Sequence, residues 1–178
     1  MKIINTKIAD VKIIEPQVFG DNRGLFLESF HAGRYAEKAG IDLPFVQDNH
    51  SRSTKGVLRG LHFQKTKPQG KLVRVVLGEV FDVAVDIRSG SPTYGQWEGI
   101  ILTEENKRQF WVPPGFAHGF VVLSDFADFE YKCTDYYDPT DEGSIRWNDP
   151  DLAIDWPINE ALLSEKDANA PWFKDLLK

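Results

Sequence analysis

The 178-residue sequence has a single cysteine, Cys133, so no disulfide can close within the chain and no thiolate zinc site can form. It also lacks a basic excess. The net charge is −6, which argues against a nonspecific nucleic-acid binder, whose binding face must be positive. A small anionic ligand stays open, because a few arginines and lysines can gather inside an acidic protein. No run reaches the roughly 18 apolar residues of a membrane helix. The first residues, Met1-Lys2-Ile3-Ile4-Asn5, lack the apolar stretch and small-residue cleavage site of a signal peptide. A cytoplasmic protein with neither membrane nor nucleic-acid partners is expected. Helical patterns are few: residues 34–39, stopped by Gly40, and a short candidate around residues 159–163.

Strand patterns fill the rest. Short runs at residues 11–15, 25–30, 45–51, 72–77, 80–88, 97–102, 109–112, 116–123 and 128–134 are separated by turn chemistry. The turns include residues 19–24, Gly78-Glu79, residues 89–95 and Pro113-Pro114-Gly115. Residues 72–77 and 80–88 read as one apolar β-pair. Alternation puts Phe81, Val83, Val85 and Ile87 on one face and Asp82, Ala84, Asp86 and Arg88 on the other. It groups Phe45, Gln47 and Asn49, and likewise Phe129, Tyr131 and Cys133; the cysteine reads as a small buried hydrophobe. Many short strands between turns predict a mainly β sandwich or barrel with a few short peripheral helices. From residue 136 the composition shifts to Asp, Pro, Asn and Trp. Residues 136–178 are therefore expected to wrap the sheet as loops and helix within one domain over residues 1–178.

One stretch is too polar for a core hairpin. Arg59, His62 and Gln64 lie among apolar residues at 56–64, and Lys71 and Arg74 follow in the next strand. The pair reads as the floor of an active site; the plainer alternative is a satisfied core histidine beside a solvated basic edge. Strict alternation separates Arg59 from His62, so a bulge at Gly60 is needed if both serve one pocket. The amides of Gln47 and Asn49 suit the edge of a planar ligand, or else cap an edge strand. His118 either binds a ligand or caps a turn. Tyr136 and Tyr137 fall in the acidic loop, where exposure is the default. His31 and His50 receive no role.

Two spacings give the fold a name. Gly56, His62 and Gln64, then Pro113, Gly115 and His118, resemble the paired cupin motifs, which belong to a double-stranded β-helix (jelly-roll). Metal-binding cupins have His-x-His followed by Glu in the first motif. Here the second position is Gln64, and residues 65–69 contain no carboxylate. Only His62 and His118 remain, too few for the usual histidine-rich metal site. No metal is expected, and His62 is free to act as a base.

Five longer motifs sharpen the resemblance. They run through Phe19, Arg23 and Glu28; Gln47 and Asn49; Arg59, His62 and Gln64; Gln69, Lys71 and Arg74; and Pro113, Gly115 and His118. In this order, from about residue 3 to Asp167, the chain resembles the dTDP-4-dehydrorhamnose 3,5-epimerase family. The resemblance implies a homodimeric cupin without metal or organic cofactor, acting on a dTDP-4-keto-6-deoxy sugar. It further implies His62 as proton acceptor, Asp167 as its partner, Tyr131 as proton donor on the opposite face, and Lys71 beside the substrate carbonyl. Arg23, Glu28, Gln47, Asn49, Arg59, His118, Glu142 and Lys166 match substrate-contacting positions, some reaching across the dimer.

The residue types suit that chemistry independently. Inverting a carbon beside a ketone needs a base near neutral pKa, a cation for the enolate oxygen and an acid on the other face. Forked arginine donors suit a diphosphate. The competing expectations are an epimerase that inverts one carbon of a related dTDP-4-keto-6-deoxy sugar, a metal-dependent cupin, and a non-catalytic nucleotide-sugar binder.

Overall fold

Strands, most of them rich in Val, Ile, Leu or Phe, form two antiparallel sheets that face each other. The computed structural model describes residues 1–177; Lys178, the end of the expected wrap, lies outside them. The first sheet has six strands, in the order β1 (Lys2–Asn5), β2 (Lys12–Glu15), β10 (Gln109–Val112), β7 (Lys71–Leu77), β12 (Phe126–Cys133) and β5 (Gln47–Thr54). The second has five, in the order β13 (Glu142–Ser144), β6 (Leu58–Gln64), β11 (Phe116–Val122), β8 (Glu79–Asp86) and β9 (Trp97–Thr103). A separate two-stranded ribbon, β3 (Val18–Asp21) and β4 (Gly24–Leu27), projects from them. This is the expected mainly β jelly-roll.

The main core lies between the sheets. Val73, Val75, Phe110, Val112 and Phe129 from one sheet meet Val80, Ala84, Leu102, Phe116, Phe120 and Val122 from the other. The five-stranded sheet is also covered on its outer face. There Val83, Val85, Ala117 and Val121 are buried under Ile145, Leu152 and Trp156, with Phe81 and Ile87 packed alongside. All seven residues of β11 are consequently buried, as in any strand with both faces covered. Helix α1 (Ala32–Ala39) covers the other sheet, setting Tyr35 and Ala39 against Ile14, Leu72 and Trp111.

Several expectations change. Residues 72–77 and 80–88 are not a pair: β7 and β8 belong to different sheets. The chain turns the corner at Gly78, at φ +83, where a Cβ would lie 2.2 Å from the carbonyl oxygen of Phe126. A one-residue corner hands the strand from one sheet to the other instead of folding it back. β6 and β7 likewise belong to different sheets and are not a hairpin. Residues 18–21 are strand rather than turn, leaving the ribbon's turn between Asp21 and Gly24. Phe45 precedes β5 and packs edge-on against Phe30 and Trp111, apart from Gln47 and Asn49. The C-terminal helix α2 spans Glu165–Ala168 instead of 159–163. Leu162 exchanges backbone bonds with Gly56 and Leu58, at 2.8 and 3.0 Å, which holds that stretch extended.

The bulge is present. His118 pairs with His62 and Phe120 with Arg59, so two steps on β11 span three on β6. Gly60 sits at φ +130, and a Cβ there would lie 2.5 Å from the Cα of Gly119. No side chain fits between these backbones.

Candidate active site

The jelly-roll interior opens into a cleft of about 480 Å³ lined by Arg59, His62, Lys71, His118, Tyr131, Lys166 and Asp167, among others. A second hollow of about 250 Å³ shares His62, Lys71 and Tyr131 and adds Gln47, Asn49 and Glu142. Ten of the twelve expected site residues therefore converge on one region, the seven first named plus these three. Arg23 and Glu28 do not. Arg23, at the tip of the exposed ribbon, pairs with Asp21, and Glu28 pairs with Arg34.

His62 and His118 come from neighbouring strands of the five-stranded sheet, and Lys71 and Tyr131 from neighbouring strands of the six-stranded sheet. The bulge at Gly60 turns Arg59 to the cleft, where its Nε donates to Ser53 Oγ at 3.0 Å. His62 Nε2 lies 2.6 Å from Asp167 Oδ1. Burial alone would raise the Asp167 carboxyl, but the bond and charge of His62, with Ser164 and Lys166, together outweigh it and hold the group below its ordinary value. A carboxylate so placed orients the ring and stabilises its protonated form.

Lys71 Nζ sits 5.9 Å from the centre of the Tyr131 ring. Burial pushes the lysine below its usual range, against the opposing pull of Cys133, Asp82 and Glu142. Burial pushes the Tyr131 phenol up, keeping it protonated and able to donate. Glu142 Oε2 accepts from Lys166 Nζ at 2.7 Å and from Tyr137 Oη at 3.1 Å. Gln47 Oε1 accepts from the Tyr137 amide at 2.9 Å, and Gln47 Nε2 donates to Asn49 Oδ1 at 3.1 Å.

Two contributors escaped the sequence reading. Asp82 lies fully buried with both oxygens against His118 Nε2, at 2.9 and 3.0 Å. A carboxylate inside an apolar strand was the available signal, because burial demands a partner. Tyr137 is half exposed, yet its ring lines the smaller hollow and it bridges Gln47 and Glu142. His118 is thus a buried strand residue and not a turn cap. His31 caps α1, and His50 lies between Asp128 and Glu130.

At the position where metal-binding cupins place their second ligand, Gln64 is buried and committed to backbone. Its Nε2 donates to the Lys67 carbonyl at 2.8 Å and its Oε1 accepts from the Asp138 amide at 2.7 Å. Among the described residues no group of three His, Cys, Asp or Glu side chains is arranged around a common point for a metal. Gly70 makes room for the Trp111 ring, and its amide donates to Thr134 Oγ1 at 2.8 Å.

Fold and cleft together define a cupin-type jelly-roll with an acid–base site, an imidazole on one sheet set against a lysine and a phenol on the other. The family profile described as dTDP-4-dehydrorhamnose 3,5-epimerase matches residues 5–175. The chain belongs to that family. It is 60% identical over 176 residues to the dTDP-4-dehydrorhamnose 3,5-epimerase of Pseudomonas aeruginosa, covering 98% of this chain and 97% of that one. A solved epimerase from Legionella pneumophila, in complex with dTDP-4-keto-L-rhamnose, is 65% identical with a TM-score of 0.95, covering 97% and 93% of the two chains. The Bacillus anthracis enzyme, solved with TDP and pyrophosphate, is 46% identical with a TM-score of 0.92, covering 96% and 98%.

Proposed function

We propose that the protein inverts C3 and C5 of dTDP-4-dehydro-6-deoxy-D-glucose to give dTDP-4-dehydro-L-rhamnose, with His62 as the base, Lys71 as the enolate partner and Tyr131 as the acid. His62 removes the proton from the carbon beside the C4 ketone, and the electron pair moves onto the carbonyl oxygen. The Lys71 ammonium stabilises that oxygen, and where bound substrate displaces water the attraction is stronger than in bulk solvent. Tyr131 returns a proton to the opposite face of the same carbon, and the ketone is restored. His62 then releases its proton to solvent, the Tyr131 phenolate takes one from solvent, and repeating the cycle at the second carbon completes the reaction without any redox change.

The observation that carries this reading is the division of labour between the sheets. His62 hangs from the five-stranded sheet, backed by Asp167 at 2.6 Å, while Lys71 and Tyr131 hang from the sheet across the cleft. Removal on one face and return on the other is what inversion requires. Gln47, Asn49, Arg59, His118, Glu142 and Lys166 hold the sugar and its diphosphate.

We further propose a homodimer in which the β3–β4 ribbon of each chain reaches the partner's cleft, bringing Arg23 and Glu28 to the nucleotide. Supporting this, the ribbon leaves Phe19, Leu25 and Phe26 at 60%, 56% and 69% exposure, an apolar surface of the kind that marks an interaction site. The expected setting is the cytoplasm, because a charged nucleotide sugar is used where it is made.

Replacing His62 by Asn tests the central role. It should abolish exchange of the C3 and C5 protons while dTDP affinity changes by less than about threefold. Persisting exchange would remove His62 from the mechanism.

A further inference from the structure

We propose that Arg146 is a positioning residue for the His62–Asp167 pair, acting through the single helical turn that carries Asp167 and Lys166. The inference rests on the role of His62 given above. Helix α2 is only four residues long, far shorter than a helix that holds itself in water. Its orientation must therefore come from what grips its two ends.

The N-terminal end is gripped by Ser164, whose Oγ accepts from the Asp167 amide at 3.1 Å. Just before it, Leu162 is tied to Gly56 and Leu58 at the start of the base-bearing strand. The C-terminal end is gripped by Arg146. Its Nε donates to the Ala170 carbonyl at 3.2 Å and its Nη2 to the Ala168 carbonyl at 3.1 Å. Carbonyls past the end of a helix have no partner inside it, and a basic side chain can supply one. The guanidinium also lies 4.4 Å from the centre of the Trp172 ring, and the Arg146 amide donates to the Pro171 carbonyl at 2.9 Å.

Arg146 is itself referenced to the base. Ser144 pairs with His62, and Ile145 exchanges backbone bonds with Leu61, at 2.9 and 3.2 Å. Arg146 thus begins where the strand bearing His62 is fixed and ends where the turn bearing Asp167 closes. A planar fork with two donors sets the angle of that turn.

Arg146→Ala should lower kcat roughly 10- to 100-fold, the scale expected when a remote change displaces a catalytic group by about 1 Å. KM should move by less than about threefold. The loss should vanish in the Asp167→Asn background, because the arginine has nothing left to position. Arg146→Lys, which keeps the charge but not the fork, should recover part of kcat; if Arg146→Ala does not fold, Arg146→Lys alone carries the same cycle. The downfield proton signal of the His62–Asp167 bond, recorded by NMR without substrate, should weaken or shift in Arg146→Ala. That readout is independent of turnover, so failure of the epimerase reading itself would appear separately, in the unsubstituted protein. A wild-type kcat, or a loss fully additive with Asp167→Asn and an unchanged proton signal, would overturn the proposal.

Discussion

The carboxylate of Asp82 and the imidazole of His118 are bonded to each other in the interior of the jelly-roll, at 2.9 Å from Nε2 to Oδ1. Both are buried, and His118 is the cross-strand partner of His62. Burial pushes Asp82 up and His118 down, so each group depends on the other to offset its desolvation.

Removing one member of such a pair strands the other. Asp82→Ala should cost about 3–5 kcal/mol of stability, and Asp82→Asn clearly less, because an amide can still bond to the ring. Urea unfolding of the two variants checks this, and a cost under about 1 kcal/mol for Asp82→Ala would contradict it.

Tyr35 gives stability an alkaline limit. Its buried hydroxyl donates to Gln109 Oε1 at 2.7 Å, and burial raises it to about 12. The unfolded phenol titrates near 10. A folded value above the unfolded one means the stabilisation is present below pH ~10 and is lost as pH rises towards 12. The loss should amount to about 2–3 kcal/mol at most. The stability difference between the native protein and Tyr35→Phe should therefore shrink across that window, read by urea midpoints at successive pH values. A constant difference would count against it.

On the proposed mechanism, Lys71 should set the alkaline limb of activity. Burial lowers its value, while the Tyr131 phenol is pushed up and stays protonated longer. As pH rises, the lysine should lose its proton first and the enolate its cation. The profile of kcat/KM should fall at a pH below the ordinary lysine value of about 10.4, and Lys71→Arg should move that fall upward or remove it. An unmoved limb in Lys71→Arg would assign it to another group.

Arg23 should matter to a cleft it does not line in its own chain. Arg23→Ala is expected to weaken dTDP binding roughly tenfold, the scale of one charge-assisted contact to a phosphate. Mixing Arg23→Ala with the inactive His62→Asn variant should restore activity, because each hybrid dimer holds one complete cleft. No recovery after verified subunit exchange would mean that the ribbon serves its own chain or none.

Much of this molecule was legible in the sequence, for identifiable reasons. The residues of β10 at 109–112 follow from apolar runs bounded by turn chemistry, and α1 from an amphipathic run closed by Gly40 at φ +70. The bulge at Gly60 was legible only as a condition, required if Arg59 and His62 serve one pocket. Strand partnership was not legible. Nothing local to residues 71–86 says that Gly78 is a corner between sheets, since that depends on Phe126, which comes from β12. Alternation groups Asp82 with Ala84, Asp86 and Arg88, and nothing local to that strand shows that His118 on β11 is its partner. Asp167 stood in a charged run that reads as surface until Ser164 and Arg146 are seen to turn it inward. Arg23 and Glu28 match family motifs, and nothing local to them shows whether they belong to a cleft of their own chain, of a partner, or to none.

The central claim is tested most directly by incubating the protein with dTDP-4-dehydro-6-deoxy-D-glucose in deuterated water and following the sugar by NMR. Deuterium should enter at both C3 and C5, with conversion to the L-rhamno product. Label confined to one carbon would contradict double inversion, and no label at either would contradict proton transfer in this cleft altogether.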